Sequence, residues 1–175
     1  MVVRRGSNSV PGHDILTIGA SAGGVEALTR LIGELPSGLP AALFVVLHIP
    51  PTAPSMLPLI LNRRSALRAH HAREGEIIEM DKVYIAPPDR HLLVKRGHVR
   101  LSRGPRENGS RPAVDPLFRS AAIAYGPRVI GVVLSGNLGD GTAGLAAIKA
   151  RGGIAVVQDP TDAIIRECRR VPWNM

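Results

Sequence analysis

Apolar and polar positions along this chain alternate between two kinds of segment. Residues 14–20 form an apolar run after Asp14 and lead into a cluster of small residues, Gly19-Ala-Ser21-Ala-Gly23-Gly24; the run predicts a first strand. Residues 25–32 place Val25, Leu28 and Ile32 on one helical face, and Gly33 and Pro36 end that helix. Residues 41–49 are apolar apart from His48 and suit a strand buried on both faces. A further helix is expected near residues 55–62. Between about 67 and 102 the pattern breaks into short pieces at 83–86, 92–94 and 98–101, separated by Pro87-Pro88 and Lys95-Arg96-Gly97. These predict antiparallel hairpins attached to the main sheet. Residues 104–112 read as a polar Gly/Pro-rich loop, 114–125 as a helix, 128–134 as a strand, 142–150 as a helix and 154–157 as a closing strand. The alternation predicts an α/β fold: a doubly wound, mostly parallel sheet with helices on both faces and an antiparallel hairpin insertion.

Composition narrows this picture. At 175 residues the chain has the length of one domain, expected to span 14–175 behind a flexible segment at 1–13. Aromatics are only 3%, so Val, Ile, Leu and Ala must build the core. No apolar run approaches a membrane span, and the first residues lack the apolar stretch of a secretory signal. The single cysteine, Cys168, cannot form an internal disulfide; a cytoplasmic location is the expectation. The formal charge of +8 suggests nucleic acid at first. The basic residues are scattered, however, with short doublets such as Arg4-Arg5, Arg63-Arg64 and Arg169-Arg170 rather than one dense run, and base-stacking aromatics are nearly absent. The expectation is a solvated basic surface and no nucleic-acid partner; the same charge would steer an acidic protein partner.

Chemistry concentrates at the small-residue cluster. Gly19 to Gly23 fit G-x-S-x-G at a strand-to-helix turn, where a serine hydroxyl can be exposed and helix N–H groups can meet an oxyanion. By itself the motif fits equally a serine that caps the helix. The Walker lysine and the dinucleotide G-x-G-x-x-G are absent. Of six histidines, His13 falls at the opposite sheet edge, His70 and His71 lie in a polar stretch, and His91 and His98 in the expected hairpins. His48 ends the second strand and emerges beside Ser21 if that strand runs parallel to the first. Asp140 follows the 128–134 strand on the same edge and is the candidate to orient the imidazole, although alone it reads as a helix cap; Asp115, Asp159 and Asp162 also read as caps. The order Ser21, His48, Asp140 differs from the Ser, acid, His order of α/β-hydrolases, and no histidine follows residue 98.

Six blocks in order (residues 18–24, 47–50, 83–91, 111–120, 134–141 and 152–160) resemble those of CheB-type protein-glutamate methylesterases, over roughly residues 14–163. The resemblance implies hydrolysis of glutamate methyl esters on methyl-accepting chemotaxis receptors with release of methanol, and in some relatives deamidation of receptor glutamines. It matches Ser21 to the nucleophile, His48 to the base and Asp140 to the orienting acid, places the Ala22 N–H near the oxyanion, and adds the Asn137 region as a further contributor. It implies no metal and no organic cofactor, a partner in the cytoplasmic helical region of the receptors, and no membrane insertion. The chain departs from the family pattern in four respects. No receiver domain is expected; Gly139-Asp140-Gly141 stands where relatives often have Asp-Asp-Gly; Ser110 stands where a histidine commonly precedes Arg-Pro; and residues 164–175 are atypical. The competing expectation is a catalytically idle relative that binds a receptor or another signalling protein.

Overall fold

A computed structural model of the chain describes residues 12–49, 54–134 and 139–159. In chain order its elements are β1 (Ile15–Ala20), a 3-10 turn (Ala22–Gly24), α1 (Val25–Gly33), β2 (Ala42–Leu47), α2 (Leu57–Asn62), β3 (Arg68–His71), β4 (Lys82–Ile85), β5 (His91–Lys95), β6 (His98–Ser102), α3 (Val114–Tyr125), a second 3-10 turn (Gly126–Arg128), β7 (Val129–Leu134), α4 (Thr142–Ala150) and β8 (Ile154–Val157). Six strands form one parallel sheet in the order β3-β4-β2-β1-β7-β8, and β5 and β6 pair antiparallel in a separate ribbon. The fold is thus the doubly wound α/β architecture expected from the alternation.

Helices cover both faces of the sheet, which is why its central strands read as continuous apolar runs. In β2, Leu43, Val45 and Leu47 pack with Leu28 and Ile32 of α1 and Leu57 and Leu61 of α2. Ala42, Phe44 and Val46 face the other way, into a core built from α3, α4 and the β5–β6 ribbon. Every residue of β2 is buried.

Two expectations for the middle of the chain are corrected. Residues 83–86 were expected in an antiparallel hairpin, but β4 lies inside the parallel sheet between β2 and β3. The polar stretch holding His70 and His71 is itself a strand, β3, at the sheet edge, where only Ala69 is fully buried. An edge strand with one buried position shows little apolar alternation, so periodicity does not reveal it.

The topology also creates a crevice. From β1 the chain moves outward through β2 to the edge strand β3, places β4 between those two, then crosses to β7 on the other side of β1. Such a reversal opens a gap at the carboxyl ends of the strands. Here β1, β2 and β7 end flush, with Ala20 level with both Leu47 and Leu134.

Candidate active site

Ser21 and His48 are the first residues beyond those flush strand ends, and the His48 backbone N–H continues the ladder by donating to the Ala20 carbonyl at 3.0 Å. Adjacent strands run about 4.8 Å apart, so the two residues leave the sheet as neighbours. Ser21 is half-buried and extended (φ −90°, ψ 175°) at the start of the 3-10 turn, and its side chain does not cap that turn. The turn is instead closed by the Gly24 N–H donating to the Ser21 carbonyl at 2.8 Å.

His48 Nε2 lies 2.7 Å from Asp140 Oδ2. The Asp140 side chain is 1% exposed, and each carboxylate oxygen receives two hydrogen bonds. Oδ2 accepts from His48 and from the Val114 N–H at 2.7 Å; Oδ1 accepts from the Asp115 N–H at 3.0 Å and Asn108 Nδ2 at 2.9 Å. All four lone-pair directions are therefore used. Burial pushes this carboxyl up, but the bonds from His48, the Val114 and Asp115 amides and Asn108 outweigh it and hold the group below the ordinary aspartate range. An ionised acceptor here fixes the imidazole with its proton on Nε2, leaving the Nδ1 lone pair as the basic site.

The carboxylate doubles as a cap. Its two backbone donors are the first two residues of α3, so Asp140 satisfies amides that the helix start leaves without an internal partner. Asp115 was expected to cap its own helix, α3; it caps α4 instead, with Oδ1 accepting from the Gly141 N–H at 3.1 Å and the Gly144 N–H at 2.6 Å. The two helices exchange caps. This exchange requires close packing that small residues permit. A Cβ on Gly19 would come within 2.5 Å of Val114 Cγ1, and one on Gly144 within 2.5 Å of Phe118 Cβ. The first glycine of the Gly-x-Ser-x-Gly cluster thus admits α3 against β1, a role the motif alone does not disclose.

Of the remaining sequence candidates, Ala22 heads the 3-10 turn after Ser21, whereas Asn137 lies outside the described residues. His91 is buried and fully engaged, with Nε2 donating to the Pro105 carbonyl at 2.9 Å and Nδ1 accepting from the Ala113 N–H at 3.2 Å. His70 pairs with Glu76 at 2.7 Å, and His13 is exposed before β1, at the opposite sheet edge. Sequence reasoning missed Asn108. Its only local signal is the Asn108-Gly109 pair, which marks a turn. Among the described residues no three His, Cys, Asp or Glu side chains converge to hold a metal ion, and no helix is long and apolar enough to cross a membrane.

Comparison with known proteins points to one family. The family model described as CheB methylesterase matches residues 16–171. A Methanosarcina mazei protein named protein-glutamate methylesterase/protein-glutamine glutaminase 2 is 45% identical over 161 residues, covering 87% of this chain and 44% of that protein. The chain spans less than half the length of that relative. A Leptospira interrogans relative is 38% identical over 154 residues, covering 87% of this chain and 80% of its own length. The crystal structure of the Thermotoga maritima CheB methylesterase catalytic domain superposes with a TM-score of 0.82 at 35% identity, covering 88% of this chain and 84% of that one.

Proposed function

The chain belongs to the CheB methylesterase family, and we propose that it hydrolyses methyl esters of glutamate side chains on methyl-accepting chemotaxis receptors, with Ser21 as nucleophile, His48 as base and Asp140 as orienting acid. The observation that carries this reading is the 2.7 Å His48–Asp140 contact beside the flush ends of β1 and β2, from which Ser21 and His48 emerge together.

In the proposed reaction, His48 Nδ1 takes the Ser21 proton as the hydroxyl oxygen attacks the ester carbonyl. Asp140 stays ionised and stabilises the imidazolium that forms. The Ala22 N–H, with Asn137 as a second contributor, donates to the oxyanion. Collapse of the tetrahedral intermediate transfers the proton to the leaving methoxide, releasing methanol and leaving Ser21 acylated by the glutamate side chain. Water, deprotonated by His48, then releases the carboxylate and free serine. The same acyl-enzyme would form from a glutamine side chain with loss of ammonia, so deamidation requires no further catalytic group. No step calls for a metal or an organic cofactor. We place the reaction in the cytoplasm, where the basic surface would steer docking onto acidic receptor helices without membrane insertion.

The test is methanol release from methylated receptor by the chain and by Ser21→Ala. Release by the parent that vanishes in the folded variant is the expected result. Release that survives in Ser21→Ala would remove the serine mechanism. Absence of release from a folded parent that still binds receptor would favour the idle binding module.

A further inference from the structure

Asn108 sits where two buried carboxylates approach each other. Its Nδ2 donates to Asp140 Oδ1 at 2.9 Å and to Asp115 Oδ2 at 3.0 Å, giving one amide proton to each. Two carboxylates sharing a site disfavour each other's charge, and a bridging donor relieves this. A lysine or arginine there would bridge them too, but it would bring a full positive charge to Asp140 and compete with His48 for it. A neutral amide supplies two protons and no charge.

The loop that carries Asn108 is held in place independently of the site. Glu107 and Ser110 close it with paired backbone bonds at 3.1 and 2.9 Å. Arg119 of α3 grips Glu107 through both carboxylate oxygens at 2.8 and 2.6 Å. Arg111 binds Asp89 at 2.9 and 2.6 Å and donates to the Gly104 carbonyl at 2.8 Å. Asn108 itself has φ +50°, a left-handed conformation that Asn adopts more readily than most residues. The backbone is turned so that a short amide reaches the two acids, and the surrounding ion pairs fix that turn.

We infer that Asn108 is a positioning residue of the site, holding Asp140 ionised and aimed at His48 while separating it from Asp115. The inference rests on the hydrolase reading above and adds a residue that the resemblance did not supply. Among the described residues, the titratable side chains that meet this group are His48 from the end of β2, bonded to Asp140, and Asp115 from α3, bonded through Asn108. Glu107, next to Asn108 in the loop, is engaged by Arg119.

The experiment uses the full chain with Asn108→Gly and Asn108→Asp. Both substitutions tolerate a positive φ, so neither strains the turn. The Asp140 carboxyl is titrated by carbon-13 NMR, and kcat and KM for methanol release are measured on the same samples. In Asn108→Gly the Asp140 titration moves to higher pH, and kcat falls about tenfold, the order expected for losing one hydrogen bond to a charged group, while KM holds. In Asn108→Asp, a third acid beside the other two, both effects are larger. An Asp140 titration that stays with the parent overturns the inference, because a purely structural loop residue would leave it unmoved. Where the parent's release depends on Ser21, a kcat in Asn108→Gly equal to the parent's overturns it as well. If the parent releases no Ser21-dependent methanol, the hydrolase reading fails, and the titration still decides whether Asn108 holds Asp140.

Discussion

The strand pair β1–β7 has an aspartate at each end, and the two are held in opposite ways. At the amino end Asp14, just before β1, meets Arg128, just before β7, through two bonds at 2.8 and 2.5 Å. The guanidinium also lies 5.0 Å from the centroid of the Tyr125 ring. Its hydrogen bond to Asp14 raises the Arg128 pKa above the ordinary arginine value, so the guanidinium is held in its charged form. At the carboxyl end Asp140 is met, among the described residues, by two backbone amides, one side-chain amide and one imidazole, with no guanidinium or ammonium among these donors. Dipoles keep that carboxylate ionised without cancelling its charge. The charge then remains available to His48, which becomes positive in the proposed reaction. A carboxylate neutralised by arginine clamps two strands together; one solvated by dipoles can respond to a proton arriving next to it.

The largest effect that would break this contrast is Asp140→Asn. The substituted amide keeps the size of the side chain but can no longer accept four hydrogen bonds, and it releases the imidazole from the required tautomer. We expect kcat for methanol release to fall on the order of 10⁴-fold, as loss of the orienting acid does in serine hydrolases, measured by steady-state methanol production on methylated receptor. An intermediate effect concerns acid stability. The folded Asp140 pKa is depressed, so its contribution to stability is present above the unfolded value of about 3.9 and is lost as pH falls below it towards the folded value. Urea midpoints measured from pH 6 to pH 3 should therefore fall less steeply in Asp140→Asn than in the parent; equal slopes would mean that the carboxylate is not held by its donors. The smallest effect is at the other end. Arg128→Met should lower stability by no more than about 1 kcal/mol, because the arginine is partly exposed, and should leave kcat unchanged. A loss of activity in that variant would mean that strand register, rather than local dipoles, governs the site.

Much of the framework was legible in the residues. The 114–125 and 142–150 helices and the 154–157 strand have the expected bounds, because their apolar spacing or flanking glycines and prolines are local signals. That His48 and Asp140 share one sheet edge followed from the expected parallel topology; their hydrogen bond did not. Strand partnership was less accessible. Nothing within residues 82–85 distinguishes a hairpin arm from a parallel strand, since the pairing depends on β2 and β3, which approach from elsewhere in the chain. Asn108 was invisible for a similar reason. Its contact with Asp140 spans 32 positions and depends on the docking of α3 against α4. The cap exchange also escaped the sequence, because an aspartate in the first turn of a helix looks the same whether it serves its own helix or a neighbour's.

That exchange sets the smallest portable unit of this architecture. Moved alone into another scaffold, α4 would lose the Asp115 acceptor for its first amides, and Asp140 would arrive with no α3 amides to receive. Moved alone, α3 would carry an acid with nothing to cap and an uncapped start of its own. A successful transplant has to take both helices together with the loop bearing Asn108, and the recipient strand needs a glycine where β1 has Gly19.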